Sequence, residues 1–159
     1  MRQVGAIERT YQDYKDIAAF FIVYIREAHA ADSSWPVGYA KELDIKEHKT
    51  YGDRCTVATR LVREKKLTLP CLVDGIDNQV NEAYQGWPDR IFLVRTDGKV
   101  GVAAGQGPWG FAPGLEKTRE WLAEYDKTGQ EPAFLESKPD VAKEKAGEDE
   151  KTSTANPKP

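Results

Sequence analysis

The sequence predicts an α/β domain, a mixed sheet flanked by helices, and three observations carry that expectation. Residues 19–25 (AFFIVYI) are short, continuously apolar and rich in aromatic and β-branched side chains, the composition of a strand buried on both faces in a parallel sheet. Segments with apolar residues at helical spacing alternate with such runs, the order of parallel strands joined by helical crossovers. The pair Asp97-Gly98 supplies the positive φ of a tight hairpin and adds one antiparallel edge.

The elements follow in order. Val4, Ile7, Tyr11 and Tyr14 recur at helical spacing, so residues 2–15 read as an amphipathic helix before the strand at 19–25. Residues 26–49 make a long polar connection broken by Trp35-Pro36 and Gly38. Connections of that length are uncommon in compact domains and are often functional. Thr50 can cap the next helix, with Asp53 three residues on and Val57, Ala58, Leu61 and Val62 as the apolar stripe. Its last turn holds Arg63, Lys65 and Lys66 with Glu64 among them, which on balance suits the helix dipole. Pro70 stops the helix, and residues 71–74 (CLVD) form a short buried strand. Asp77 and Asn78 can cap a short helix with Val80, Ala83 and Tyr84 on one face. Residues 90–95 (RIFLVR) are another strand, turned by Thr96-Asp97-Gly98 into 99–103. A Gly/Pro-rich loop over 104–114 leads to a final helix around 115–126, with Leu115, Leu122 and Tyr125 on its buried side. From about Ser137 onward Lys, Glu, Pro, Ser, Thr and Ala dominate, and such a segment cannot bury enough apolar surface to offset its ordering entropy. One domain is therefore expected over residues 1–130 and a disordered tail over 137–159.

Composition narrows the function. A chain of 159 residues has room for one domain with a proper core and a tail. A formal charge of -3 and a pI near 5.5 give no reason to expect nucleic acid or an anionic membrane as the main partner. The longest apolar run, residues 17–25, is far too short to span a bilayer. No basic segment followed by an apolar stretch opens the chain, so as it stands it reads as cytoplasmic. Cys55 and Cys71 form no CxxC and have no metal-ligand spacing, and His29 and His48 lie far apart, so no zinc signature is present.

The order α-β-loop-α-β-α-β-β-α ends as the second half of a thioredoxin fold ends. In that fold a first strand lies between the strand after the first helix and the C-terminal hairpin, and here nothing precedes the first helix. Strands 19–25 and 90–95 would then flank a slot one strand wide, about 4.8 Å from each neighbour. Their unpaired edges would cost buried backbone hydrogen bonds and invite aggregation. No spare apolar segment remains to fill the slot, so the expectation is a chain whose first central strand is missing.

Several pieces then fall in register. Residues 21–35 (FIVYIREAHAADSSW) place Glu27-Ala28-His29 after a strand and Trp35 beyond it. Residues 48–54 (HKTYGDR), 70–78 (PCLVDGIDN), Ala83-Tyr84, 88–94 (PDRIFLV) and Gly107-Pro108-Trp109 continue in order. Together they resemble the iodothyronine deiodinase family over residues 1–127. The resemblance implies a thioredoxin fold with peroxiredoxin-like features, and reductive removal of iodide from an iodinated phenolic ring by a selenolate or thiolate. In that family the nucleophile lies between the first strand and the first helix, followed by Pro-Pro-Phe. It is thus expected upstream of Met1, where the central strand is also missing. No cofactor is implied, only an external thiol reductant. The partners implied are a small iodinated phenol-like aromatic and that reductant, with no nucleic acid and no membrane, and a homodimer left open.

Each candidate residue has a chemical reason. His29 follows a strand at its C-terminal end, where ligands bind in open α/β sheets, and can hydrogen-bond a substrate oxygen or pass a proton. Glu27 can orient it. His48 lies just before a helix N-terminus, whose N–H groups favour the neutral imidazole, and matches the family's second histidine. Glu27, His29 and His48 are the catalytic candidates; Trp35, Arg54 and Gln106 are the substrate-binding ones. Trp35 can stack on an aromatic ring, and Arg54 either serves the substrate or pairs with Asp53 or Glu47 at the surface. Gln106 stands where some relatives carry an arginine before Gly-Pro, keeping hydrogen bonding and losing the charge. Cys71 has nothing nearby in sequence to lower its pKa, and Cys55, early in a helix, reads as a small core residue. Pro88 stands where thioredoxin folds keep a cis proline. A thiol peroxidase-like enzyme and a non-catalytic aromatic-binding protein are the two alternative functions.

Overall fold

Residues 3–137 are described in the computed structural model of the chain, and they divide into two units, one up to Pro88 and one from Asp89. Of the tail expected over 137–159, all but Ser137 lies outside the described residues. The secondary structure is mixed α/β, with helices and two small sheets.

In the first unit, α1 (Val4–Tyr14) leads to β1 (Ile22–Tyr24), and the connection that follows carries a short helix, α2 (Gly38–Glu42). Helix α3 (Tyr51–Lys65), β2 (Cys71–Val73) and α4 (Gln79–Tyr84) complete it. β1 and β2 pair in parallel, with Ile22 opposite Cys71, Val23 opposite Leu72 and Tyr24 opposite Val73. The parallel pairing is as expected, but the apolar run 19–25 is not a strand buried on both faces. Three residues are strand, and burial alternates along both β1 and β2. α3 packs on β2 and shields one face, while Phe21, Val23 and Leu72 stay 58%, 36% and 49% exposed. Strand side chains alternate between faces, so one helix can cover only every second residue.

Helix α3 begins with the capping box expected at Thr50. The Thr50 hydroxyl accepts from the Asp53 N–H at 3.1 Å, and the Asp53 carboxylate accepts from the Thr50 N–H at 2.8 Å. It ends at Lys66 in the left-handed region, φ 52°. Its buried positions are Arg54 and Ala58, with Leu67 and Leu69 buried just beyond it. Helix α4 turns the other way from expectation. Val80 and Tyr84 are 37% and 47% exposed, and Asn81 is the buried residue. Neither Asp77 nor Asn78 caps it; the buried Asp74 carboxylate does, accepting from the Val80 and Asn81 N–H groups at 3.0 and 2.9 Å. A carboxylate at a helix start satisfies orphan donors and complements the dipole.

In the second unit β3 (Phe92–Val94) and β4 (Val100–Ala103) are antiparallel, joined by the Asp97-Gly98 turn with Gly98 at φ 80°. Helix α5 (Phe111–Thr128) starts a turn earlier than expected. Pro113 sits in its first turn, where a missing N–H costs nothing. Its buried face is Phe111, Gly114, Thr118, Trp121 and Leu122, packed with Val102 and Ala104. Gly114 is required there, since a Cβ would fall 2.2 Å from that of Ala104. A strand that sequence reading missed, β5 (Leu135–Glu136), lies parallel to β4. Ser137, expected to open the tail, is 4% exposed, and its N–H donates to the Ala103 carbonyl. The Trp87–Pro88 bond is cis, as is Gly107–Pro108. Among the described residues no helix is long and apolar enough to cross a membrane.

Candidate functional site

β1 ends at Tyr24, and the chain leaves it carrying Glu27. The Tyr24 hydroxyl donates to Glu27 Oε2 at 2.6 Å. From the approach to α3 comes His48, its ring centroid 5.8 Å from that of Tyr24 at an interplanar angle of 46°. Both ring nitrogens of His48 are buried with no hydrogen-bond partner among the described residues. Tyr24, Glu27 and His48 thus come together at the C-terminal end of a parallel strand, where α/β proteins place their ligands.

The electrostatics follow from that packing. Burial pushes the Tyr24 phenol well above its ordinary value, and the Glu27 carboxylate beside it acts in the same direction. The phenol therefore stays protonated and donates. His48 is pushed below its ordinary value chiefly by burial; Glu27 and Asp53 oppose that shift and Arg54 adds to it. A neutral imidazole can accept at one nitrogen and donate from the other. With both nitrogens unfilled and out of water, His48 is poised to bond to something the described residues do not supply.

His29 is arranged separately. Its Nδ1 lies 3.1 Å from the Trp35 carbonyl, and its ring meets the Trp35 indole edge-on at 5.1 Å. A carbonyl only accepts, so Nδ1 carries the hydrogen, and in the neutral ring Nε2 is the acceptor. The orienting partner of His29 is thus the Trp35 carbonyl, while Glu27 is engaged by Tyr24. The loop is tied locally. The Ser33 hydroxyl donates to the Ala30 carbonyl at 2.7 Å, and Asp32 accepts from the Glu47 N–H at 2.8 Å. Trp35 itself is 61% exposed.

Arg54 is neither at the surface nor paired with Asp53 or Glu47. It is 2% exposed, with Nη1 donating to the Gly75 and Asp74 carbonyls at 2.6 and 3.3 Å and Nη2 donating to Asn78 Oδ1 at 2.9 Å. Gln106 is exposed in the loop before α5, and its carbonyl accepts from the Gly110 N–H at 2.9 Å. Both cysteines are free thiols, and burial pushes the Cys71 thiol up, away from thiolate character. Tyr24 and Asp74 went unnoticed in the sequence. A tyrosine inside an otherwise apolar strand was the available signal, because its buried hydroxyl needs a partner.

A parallel strand ending in a protonated phenol, a carboxylate and a neutral imidazole defines an α/β protein with an acid–base cluster of the kind enzymes use. The family profile for iodothyronine deiodinase matches residues 1–126, and the chain belongs to that family. A type I iodothyronine deiodinase of Xenopus laevis is 33% identical over 111 residues, 70% of this chain and 42% of that protein. A type II iodothyronine deiodinase of Aquarana catesbeiana is 32% identical over 138 residues, 81% of this chain and 51% of that protein. A thyroxine 5-deiodinase of Sparus aurata is 34% identical over 125 residues, 79% of this chain and 45% of that protein. The chain spans about half the length of the curated relatives it matches.

Proposed function

We propose that this chain carries the proton-handling side of a deiodinase-type oxidoreductase built on a thioredoxin-like fold. The observation that supports it is the half-buried Tyr24–Glu27–His48 cluster, with both His48 nitrogens unfilled among the described residues and the imidazole neutral. In the reaction a selenolate or thiolate takes iodine from the ring carbon. The C–I electron pair stays with the ring and a proton replaces the iodine. The resulting Se–I or S–I bond is then reduced by two thiols, which leave as a disulfide. Iodide and two protons are released, the selenolate or thiolate is regenerated, and one of those protons replaces the one the ring took. The nucleophile is proposed to lie upstream of Met1, and the thiols are external.

Within that scheme His48 holds the proton that the ring receives, and Glu27 with Tyr24 restores it. Neutral His48 has one N–H to give and one lone pair to take a proton back, which suits a relay working near pH 7. His29 offers Nε2 to a phenolic O–H, and the exposed Trp35 indole offers a face for ring stacking. Gln106, in the second unit, offers no guanidinium to clamp a carboxylate, so preference is proposed to lie with substrates lacking one. Gln106→Arg is then expected to lower KM several-fold for a carboxylate-bearing iodophenol and leave KM for a neutral one unchanged.

The test is iodide release from 2-iodophenol and diiodotyrosine with dithiothreitol, using the protein extended upstream in its natural reading frame. Iodide release that stops when the upstream selenocysteine or cysteine is replaced by serine is the expected result. Peroxide turnover without iodide release would give the site to a thiol peroxidase. Ring binding without either reaction would make it a non-catalytic binder.

A further inference from the structure

Arg54 is a buried cation bonded only to neutral acceptors. It is 2% exposed, and its three hydrogen bonds end on two backbone carbonyls and the Asn78 side-chain oxygen. The nearest acid along that turn, Asp74, directs its carboxylate to the Val80 and Asn81 N–H groups instead. Among the described residues no carboxylate lies within ion-pair distance of Arg54, and its Nε is buried without a partner. A guanidinium keeps its charge through the whole accessible pH range. Left without a bonded counter-charge away from water, it acts strongly on whatever titrates nearby. The turn it grips is joined to β1, where the Asp74 N–H donates to the Tyr24 carbonyl at 2.9 Å. The Tyr24 ring packs against that of His48 from the entrance to α3, so the Arg54 charge acts on the two rings of the cluster. The groups facing His48 with the opposite sign are Glu27, after β1, and Asp53, in the first turn of α3.

We propose that Arg54 is a positioning residue for the proton chemistry of this site. Its fixed charge adds to burial in opposing Glu27 and Asp53 at the His48 imidazole, and its hydrogen bonds hold the turn after β2 on α3. Without that charge His48 beside Glu27 takes a proton more readily, and fewer molecules keep the lone pair a relay needs. The consequence for catalysis rests on the deiodinase-type reading, whereas the charge coupling itself does not. The cation is also the right residue for the place. A lysine could supply the charge but not the fork that spans two carbonyls and an amide.

The experiment is an NMR titration of the imidazole C–H resonances in the whole chain, with His29→Asn identifying His48. In Arg54→Met the His48 midpoint is expected to rise by about one pH unit, a tenfold gain in proton affinity. In Arg54→Lys it should move less than half as far. An unchanged or lower midpoint in folded Arg54→Met would overturn the proposal. That variant strips donors from three acceptors, so a measurement on the unaltered chain stands beside it. Coupling is reciprocal, so the Arg54 Nε–H resonance should shift with pH at the His48 midpoint; an Arg54 resonance flat through that midpoint would contradict it. Neither arm reads iodide release, so a protein that titrates as described yet releases no iodide would sink the deiodinase reading and leave the Arg54 role standing.

Discussion

His48 keeps two polar atoms out of water without hydrogen bonds among the described residues, and each unfilled group costs about 1–3 kcal/mol. Sites that keep such a cost are commonly working sites, where activity and stability pull apart. His48→Phe, which fills the ring volume without polar atoms, is therefore expected to leave stability at pH 7.5 equal or higher in urea unfolding. The pH dependence gives a second check. The folded value of His48 lies below its ordinary one, so as pH falls the unfolded chain takes up the proton first. The stability this group contributes is whole above about pH 6.5 and is lost as pH falls toward the folded value. Urea midpoints measured at pH 7.5 and pH 5.5 should thus differ less in His48→Phe than in the parent chain, and an equal difference would contradict a neutral buried His48. Tyr24→Phe removes the 2.6 Å donor to Glu27 and is expected to cost about 1–2 kcal/mol, read in the same way.

At the scale of elements, two caps hold the site's scaffold. Thr50→Ala breaks the capping box that opens α3 and should cost about 1 kcal/mol. Asp74→Ala is expected to cost more, about 2–4 kcal/mol, because a buried carboxylate bonded to two N–H groups is lost from the start of α4. If urea unfolding ranked Thr50→Ala as the more damaging, the place given to Asp74 would be wrong. The two caps also show what local sequence can reveal. Thr50 and Asp53 stand three apart beside an apolar stripe, so the box was readable. Asp74 caps α4 from a preceding strand end, and Asn78 takes a left-handed conformation between them, which no spacing rule anticipates. The Asp97-Gly98 hairpin was legible because its turn chemistry is local. β5 was not, since two residues carry no periodicity. Among site residues, His48 and Glu27 were picked out by type. Tyr24 was hidden in an apolar run, and Arg54 by the usual bias that puts arginine at surfaces.

On the scale of the whole molecule, membership of the iodothyronine deiodinase family rests on 126 matched residues, while the matches span about half the length of the relatives. Three of the short pieces that carried the resemblance follow the elements around the cluster, namely the end of β1, the start of α3, and the turn after β2. That turn is bound to α3 by Arg54 and to β1 through the Asp74 N–H, which donates to the Tyr24 carbonyl at 2.9 Å. Fold and the proposed proton chemistry thus share the same few residues in the first unit. The claim at the centre is that His48 supplies the proton that replaces iodine. It is tested most directly by the rate of iodide release from 2-iodophenol at pH 7, comparing His48→Gln with the parent in the upstream-extended protein. A fall in kcat of about 100-fold or more, with KM little changed, is the result predicted. A kcat within about threefold of the parent would contradict it.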